Sequence, residues 1–189
     1  MFGVLSDPCR RVLVCVAREQ IRSALSGSDP LFPPRRPELE DPSGAFVSLH
    51  LADGALRGCI GTVKSSRPLI DAVRDCAEGA AFRDPRFTPL TLAELAAVRI
   101  EISVLSPLRR IADVGLIEPG LHGILIEYGN RTGLLLPQVA TERRWSRATF
   151  LEQTCRKAGL APGAWAEEET AIFTFEAEVF DETILRMGS

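Results

Sequence analysis

The sequence is short of the residues from which metal centres and disulfide frameworks are built: two histidines and five cysteines in 189 residues, with no Cys-x-x-Cys pair. Cys9, Cys15, Cys59, Cys76 and Cys155 are odd in number and widely spread, which argues against a disulfide framework and against structural zinc. No apolar run reaches the length of a bilayer span, and Met1 to Asp7 lacks a basic region leading into an apolar stretch. The expectation is a cytoplasmic protein that does not enter the membrane. Surplus positive charge is missing as well: the net charge is −3 with both signs interleaved, so a phosphate backbone finds no evident basic surface and nucleic acid is not an expected partner. Neither Gly-x-Gly-x-x-Gly nor Gly-x-x-x-x-Gly-Lys occurs, which removes the common dinucleotide and phosphate-loop fingerprints and leaves the cofactor unknown.

What is present is the composition of an ordinary globular chain, 46% hydrophobic and 25% charged, long enough for one generous domain or two small lobes. Asp7-Pro8 reads as a helix start, and apolar residues recur at helical spacing until Gly27. Five prolines between Ser28 and Gly44 remove backbone donors and predict a surface loop, the best candidate for local disorder. Ala45 to Leu51 and Ala55 to Val63 read as a hairpin turning at Asp53-Gly54. Ser66 caps a predicted helix from Pro68 to about Phe82, whose far end is rich in small residues and so invites close approach of another backbone. Thr91 and Glu94 fit a capping box. Val98, Ile100, Ile102 and Val104 alternate as a strand, Leu121 to Tyr128 and Arg131 to Leu136 form a second hairpin, and Ser146 caps a helix that stops at Gly159. Phe173, Phe175, Ala177 and Val179 alternate as one last strand. Without a regular βαβ rhythm, the expected fold is α+β, a mixed or antiparallel sheet with flanking helices, in one chain of two lobes spanning 1–189.

Gly58 and Gly61 bracket Cys59 and Ile60, so the backbone there is free to adopt positive φ or to admit a ligand to its amides. Arg57 and Lys64 are close in sequence, and cationic neighbours favour a thiolate over a thiol. Alternation puts Arg57 and Cys59 on one strand face and Lys64 on the other. A bulged strand with a small buried cysteine reads the same residues without function. The other four cysteines read as packing residues. Asp84 and Arg86 either pair to pin their loop or line a cleft with Phe87, where a free arginine suits a carboxylate or phosphate. His50 lies where the hairpin brings it opposite Leu56 to Gly58, making a Cys–His pair conceivable, and His122 beside Gly123 is a candidate proton shuttle. No spacing gathers Cys59, His50 and His122 into a metal site, and none is expected.

Leu-Arg-Gly-Cys-Ile-Gly at 56–61, Ala-Phe-Arg-Asp-Pro-Arg-Phe at 81–87, Ile-Ser-Val-Leu at 102–105, His122-Gly123, Leu-Leu-Pro-Gln-Val at 135–139 and Lys-Ala-Gly-Leu at 157–160 followed by Trp165 together resemble the AMMECR family, protein A of the AmmeMemoRadiSam type. The resemblance implies an α+β fold of two lobes with the glycine-cysteine loop facing a cleft between them. It singles out Cys59, with Arg57, Gly58, Gly61, Asp84, Arg86 and Phe87 around a small-molecule ligand, and His122 and Gln138 beside them. It also implies Memo-like and radical-SAM proteins as partners. Leu121 stands where the family pattern has a polar residue, and Arg144 where it has glycine. Two functions from different classes fit: a modification enzyme using Cys59 on an anionic substrate, or a non-catalytic adaptor that docks those partners.

Overall fold

Proline in the first helical turn lacks only an N–H that would have gone unbonded, and the first helix, α1 (Asp7–Ser26), begins there in the computed structural model. The N-cap is Ser6, one residue earlier than Asp7, and Gly27 stops the helix at φ 66°. The structure describes residues 4–185; the first three residues of the N-terminal segment read above, and the last four of the chain, lie outside it.

The chain divides into two compact units, one formed by 1–105 with 178–189 and the other by 106–177. The first is built from α1, the hairpin β1 (Ala45–His50) and β2 (Leu56–Thr62), α2 (Leu69–Phe82), the short α3 (Leu92–Leu95), β3 (Arg99–Leu105) and β8 (Ala177–Asp181). Its sheet runs β2-β1-β3-β8, with β1 antiparallel to both neighbours. Val47, Leu49, Ile100 and Ile102 point to the helical side and share a core with Leu13, Val16 and Ile21 of α1 and Val73 and Ala77 of α2. Alternation along β1 leaves Phe46, Ser48 and His50 half-buried on the other face.

The second unit carries the sheet β4-β7-β5-β6, from β4 (Arg109–Ile111), β5 (Gly123–Tyr128), β6 (Arg131–Leu135) and β7 (Ala171–Phe175). Here α4 (Pro137–Glu142) and α5 (Arg147–Lys157) accompany the sheet, and Ile124, Ile126, Phe150, Leu151, Cys155 and Ile172 form its core. The fold is α+β, and every pairing named here is antiparallel.

Several expectations need correction. The alternation from Phe173 to Val179 is not one strand: β7 ends at Phe175 and β8 starts at Ala177, in different sheets. Glu176, between them, exchanges main-chain and side-chain hydrogen bonds with Ser106, the residue at the earlier crossing, so period-2 patterning continued across a change of sheet. Ser66 does not cap α2, whose N-cap is Pro68. The proline-rich segment 28–44 does run over the surface, but it is anchored at points: Leu39 is fully buried, Arg35 bonds Glu40 and Asp71, and the Arg74 guanidinium lies 4.3 Å from the Phe32 ring centre. Cys15 is exposed, whereas Cys9, Cys76 and Cys155 are buried as packing residues.

Gly58 and Gly61 do not adopt positive φ; they are glycines for want of space. A Cβ on Gly58 would run into the carbonyl oxygen of Ala80 in α2, and one on Gly61 would run into the Phe46 ring. Backbone cannot yield, but a ring can be trimmed. Gly58→Ala is therefore expected to cost about 1–3 kcal/mol in urea unfolding, and a compensating side-chain change has nothing to relieve. Gly61→Ala is expected to be partly rescued by Phe46→Leu, a coupling that a double-mutant cycle measures.

Arg144 is the non-glycine residue with positive φ, at 53°, among the described residues. A β-carbon in that region is strained, which is a physical reason to expect glycine at this position. Arg144→Gly is expected to raise stability by up to about 1 kcal/mol, read as an increase in urea midpoint.

Candidate functional site

β2 is the outer strand of its sheet, so the surroundings of Cys59 depend on what lies along its open edge. Register sets Cys59 opposite Ser48. The Cys59 N–H turns away from β1 and donates to Asp84 Oδ2 at 2.8 Å. The two residues are thus a non-hydrogen-bonded pair of the ladder, the kind whose side chains come closest, and Ser48 Oγ donates to Cys59 Sγ at 3.2 Å. The Cys59 carbonyl accepts from Arg86 Nη2 at 3.5 Å. Asp84 and Arg86 thereby offer one acceptor and one donor to the main chain of β2, as a neighbouring strand would.

The two residues are themselves joined twice, Arg86 Nε to Asp84 Oδ1 at 2.9 Å and Nη2 to Oδ2 at 2.7 Å, a bidentate geometry that fixes direction as well as distance. The Asp84 side chain is only 2% exposed and the arginine 56%. The Arg86 guanidinium, with the N–H groups of Cys59 and Arg86, holds the Asp84 carboxyl well below the usual carboxylate range. Asp84 in turn raises Arg86. Cys59 is half-buried, and the Phe87 ring centre lies 5.4 Å from the Arg86 guanidinium.

Arg57 is placed differently from its sequence expectation. Leu49 pairs with Gly58 but His50 with Leu56, so Arg57 is the unpaired residue of a β-bulge, where alternation is interrupted. Its side chain is buried, donating from Nε to Glu94 Oε1 at 3.0 Å and from Nη2 to the Thr88 carbonyl at 3.0 Å. Nη1 is buried without a partner, and the Phe87 ring centre is 6.0 Å away. Glu94 also closes the Thr91 capping box of α3. The Arg57 guanidinium, helped by the Thr91 donors, lowers Glu94 to about 2. Arg57 therefore ties β2 to the segment 88–94, and its guanidinium is turned to that task.

The row that crosses the sheet at Cys59 continues through Ser48 to Glu101, which pairs with Ser48 on β3. Sequence reasoning missed Ser48. Counting outward from the turn by simple hairpin symmetry, His50 falls opposite Leu56 and Ser48 opposite Gly58; the bulge at Arg57 advances the register by one and substitutes Cys59. His50 pairs with Leu56, within the span expected, but its ring is engaged away from the thiol: its Nδ1 lies 3.3 Å from the Gly54 carbonyl and its Nε2 is 3.7 Å from Glu101 Oε1. The hydroxyl, not an imidazole, is the partner of the sulfur.

His122 and Gln138 belong to the second unit. His122 Nδ1 accepts the Glu118 N–H at 3.0 Å while its own N–H reaches the Glu118 carbonyl, so the ring closes its own turn and the acceptor role of Nδ1 leaves Nε2 as the protonated nitrogen. Gln138 sits in the first turn of α4, half-buried. Among the described residues no group of three His, Cys, Asp or Glu side chains is arranged to hold a metal ion, and no helix is long and apolar enough to cross a membrane.

The fold and site define a class: an α+β protein of two units whose first unit displays a cysteine on an edge strand that an Asp-Pro-Arg loop covers. The family model AMMECR1 matches residues 14–180, and the chain belongs to that family. It is 43% identical over 189 residues to a protein of Methanothermobacter thermautotrophicus, covering 96% of this chain and 98% of the relative. A Caldivirga maquilingensis protein is 40% identical over 185 residues, covering 91% and 84%. Among solved structures, that of the uncharacterized protein PH0010 from Pyrococcus horikoshii superposes with a TM-score of 0.84 at 39% identity, covering 90% of this chain and 89% of that one.

Because the folded carboxyl of Asp84 titrates below its unfolded counterpart, its contribution is complete above the ordinary aspartate range, near about 4, and is lost as pH falls toward the depressed folded value. Asp84→Asn is expected to unfold more easily at pH 7 and to show a shallower loss of stability on acidification than the parent protein. Urea midpoints between neutral and acid pH provide the comparison; parallel curves would remove Asp84 from the acid response.

Proposed function

We propose that the protein is a cytoplasmic enzyme, or a component of a modification system, that uses Cys59 as a nucleophile toward a small anionic molecule. One observation carries the reading: the half-buried sulfur accepts a hydrogen bond from Ser48 while an arginine anchored on a buried aspartate stands at the same residue. The Ser48 hydroxyl fixes where the sulfur sits. Arg86, more than half exposed and held by Asp84, supplies positive charge that a substrate carboxylate or phosphate can share. Arg57, expected from the sequence to help bind the anion, is buried in the link to Glu94 and Thr88 and serves the loop instead. Gly58 and Gly61 act by admitting α2 and Phe46 and not as an amide cradle. Five unpaired cysteines suit a reducing compartment.

Iodoacetate and iodoacetamide present the same electrophilic carbon with and without a negative charge, and Cys15 is an exposed thiol in the same molecule. Site-resolved mass spectrometry is expected to show the ratio of iodoacetate to iodoacetamide rates higher at Cys59 than at Cys15 by about two- to fivefold, as a surface charge pair allows. Arg86→Gln is expected to bring the two ratios together. An inert Cys59, or one without anionic preference, would sink the enzymatic reading and leave the docking of Memo-like and radical-SAM proteins as the use of this surface.

A further inference from the structure

β4 is an outer strand of the second unit's sheet, and beside it a pocket of about 670 Å³ opens between the strand with its following turn and the segment that carries Trp165. Ile111, Val114, Trp165 and Ile172 line it. All four belong to the unit's core or pack against it, so the pocket opens onto apolar surface. Its charged lining is Arg110 from the strand and, from the other side, Glu167 and Glu168.

Main-chain bonds fix both walls. Arg110 and Ile111 pair with Phe173 and Ile172 of β7. Across the pocket, the Ala164 N–H donates to the Ala161 carbonyl at 3.0 Å, the Glu167 N–H to the Ala164 carbonyl at 3.2 Å and the Thr170 N–H to the Glu167 carbonyl at 3.1 Å, while the Thr170 hydroxyl also donates to the Ala164 carbonyl. The three lining charges are exposed and form no ion pair among the described residues. Asp113, in the turn after β4, is committed to the Gly115 N–H.

None of the three charges selects a ligand alone, but together they do. A plain anion drawn to Arg110 meets two carboxylates, and a plain cation drawn to the carboxylates meets a guanidinium. A molecule that carries both signs close together suits both walls, its carboxylate matching the two-pointed geometry of the arginine. Trp165 gives such a molecule an aromatic surface for an apolar body, and the volume lies in the range of ligand pockets.

We propose that this pocket binds a free α-amino acid with an apolar or aromatic side chain, its carboxylate on Arg110, its ammonium on Glu167 or Glu168 and its side chain against Trp165 and Ile172. The site lies within the second unit and does not rest on the reading of Cys59. L-phenylalanine, N-acetyl-L-phenylalanine and L-phenylalaninamide share one aromatic body and differ in which charge is missing. They are titrated into the full chain at about pH 6, where the free amines are charged, and followed by heteronuclear NMR at the Trp165 indole N–H. L-phenylalanine is expected to saturate, and each derivative to bind at least about threefold more weakly, as exposed charge contacts allow. Arg110→Gln is expected to erase the advantage over the amide, and Glu167→Gln/Glu168→Gln the advantage over the N-acetyl derivative, each leaving the other preference in place. No saturable shift at Trp165, a derivative that binds as well as the amino acid, or preferences that survive the substitutions would overturn the site.

Discussion

The region around Cys59 depends on how an outer strand disposes of its unpaired edge. An edge strand presents a row of N–H and C=O groups with nothing to bond, and leaving them open invites pairing with another chain. Here an ion pair takes the place of a fifth strand at one residue, with Asp84 accepting from the Cys59 N–H and Arg86 donating to its carbonyl. That substitution works only if the carboxylate stays ionised and correctly turned. The two-point contact with Arg86 secures both conditions, and burial of Asp84 makes the contact worth having because few waters compete for it.

Closing the edge also determines which way the thiol faces. Since the Cys59 main chain bonds outward, its side chain forms a close pair with Ser48, and the bulge at Arg57 makes Ser48 the partner in place of the residue that hairpin symmetry would assign. The bulge has its own cause: Arg57 is drawn out of the ladder toward Glu94 and the Thr88 carbonyl. A buried arginine of the strand therefore sets the neighbour of a cysteine two residues further on. Gly58 completes the arrangement, because α2 approaches β2 so closely at Ala80 that no larger residue fits.

Much of this was readable before any coordinates. The hairpin, the Thr91 capping box, the stops at Gly27 and Gly159 and the close approach to the small-residue end of α2 all follow from local chemistry, and local chemistry is what a sequence displays directly. The α+β class followed from the order of those elements. The failures share a physical origin as well. A bulge changes register without changing the apolar pattern, so Ser48 was invisible as the partner of Cys59; His50 does lie opposite Leu56, but its ring is turned to Gly54 and Glu101. A strand that changes sheet at Glu176 keeps its alternation, so β7 and β8 read as one. The glycines of the 56–61 motif were correctly found and wrongly explained: flexibility was the available argument, whereas the reason is packing against residues 46 and 80, distant in sequence. Prolines in 28–44 suggested looseness because they remove backbone bonds, yet Leu39 and the Arg35 contacts hold that segment by side chains.

The five cysteines show how far environment, and not residue type, decides chemistry. Cys9, Cys76 and Cys155 are enclosed, and desolvation raises the thiols of Cys76 and Cys155. Cys15 is exposed, but partial burial and the nearby Glu182 also raise it, which works against the thiolate. Cys59 differs in having a hydroxyl donor to its sulfur and a guanidinium at its main chain while remaining half-open. The guanidinium comes from closing the strand edge, and the hydroxyl from the register that the bulge sets.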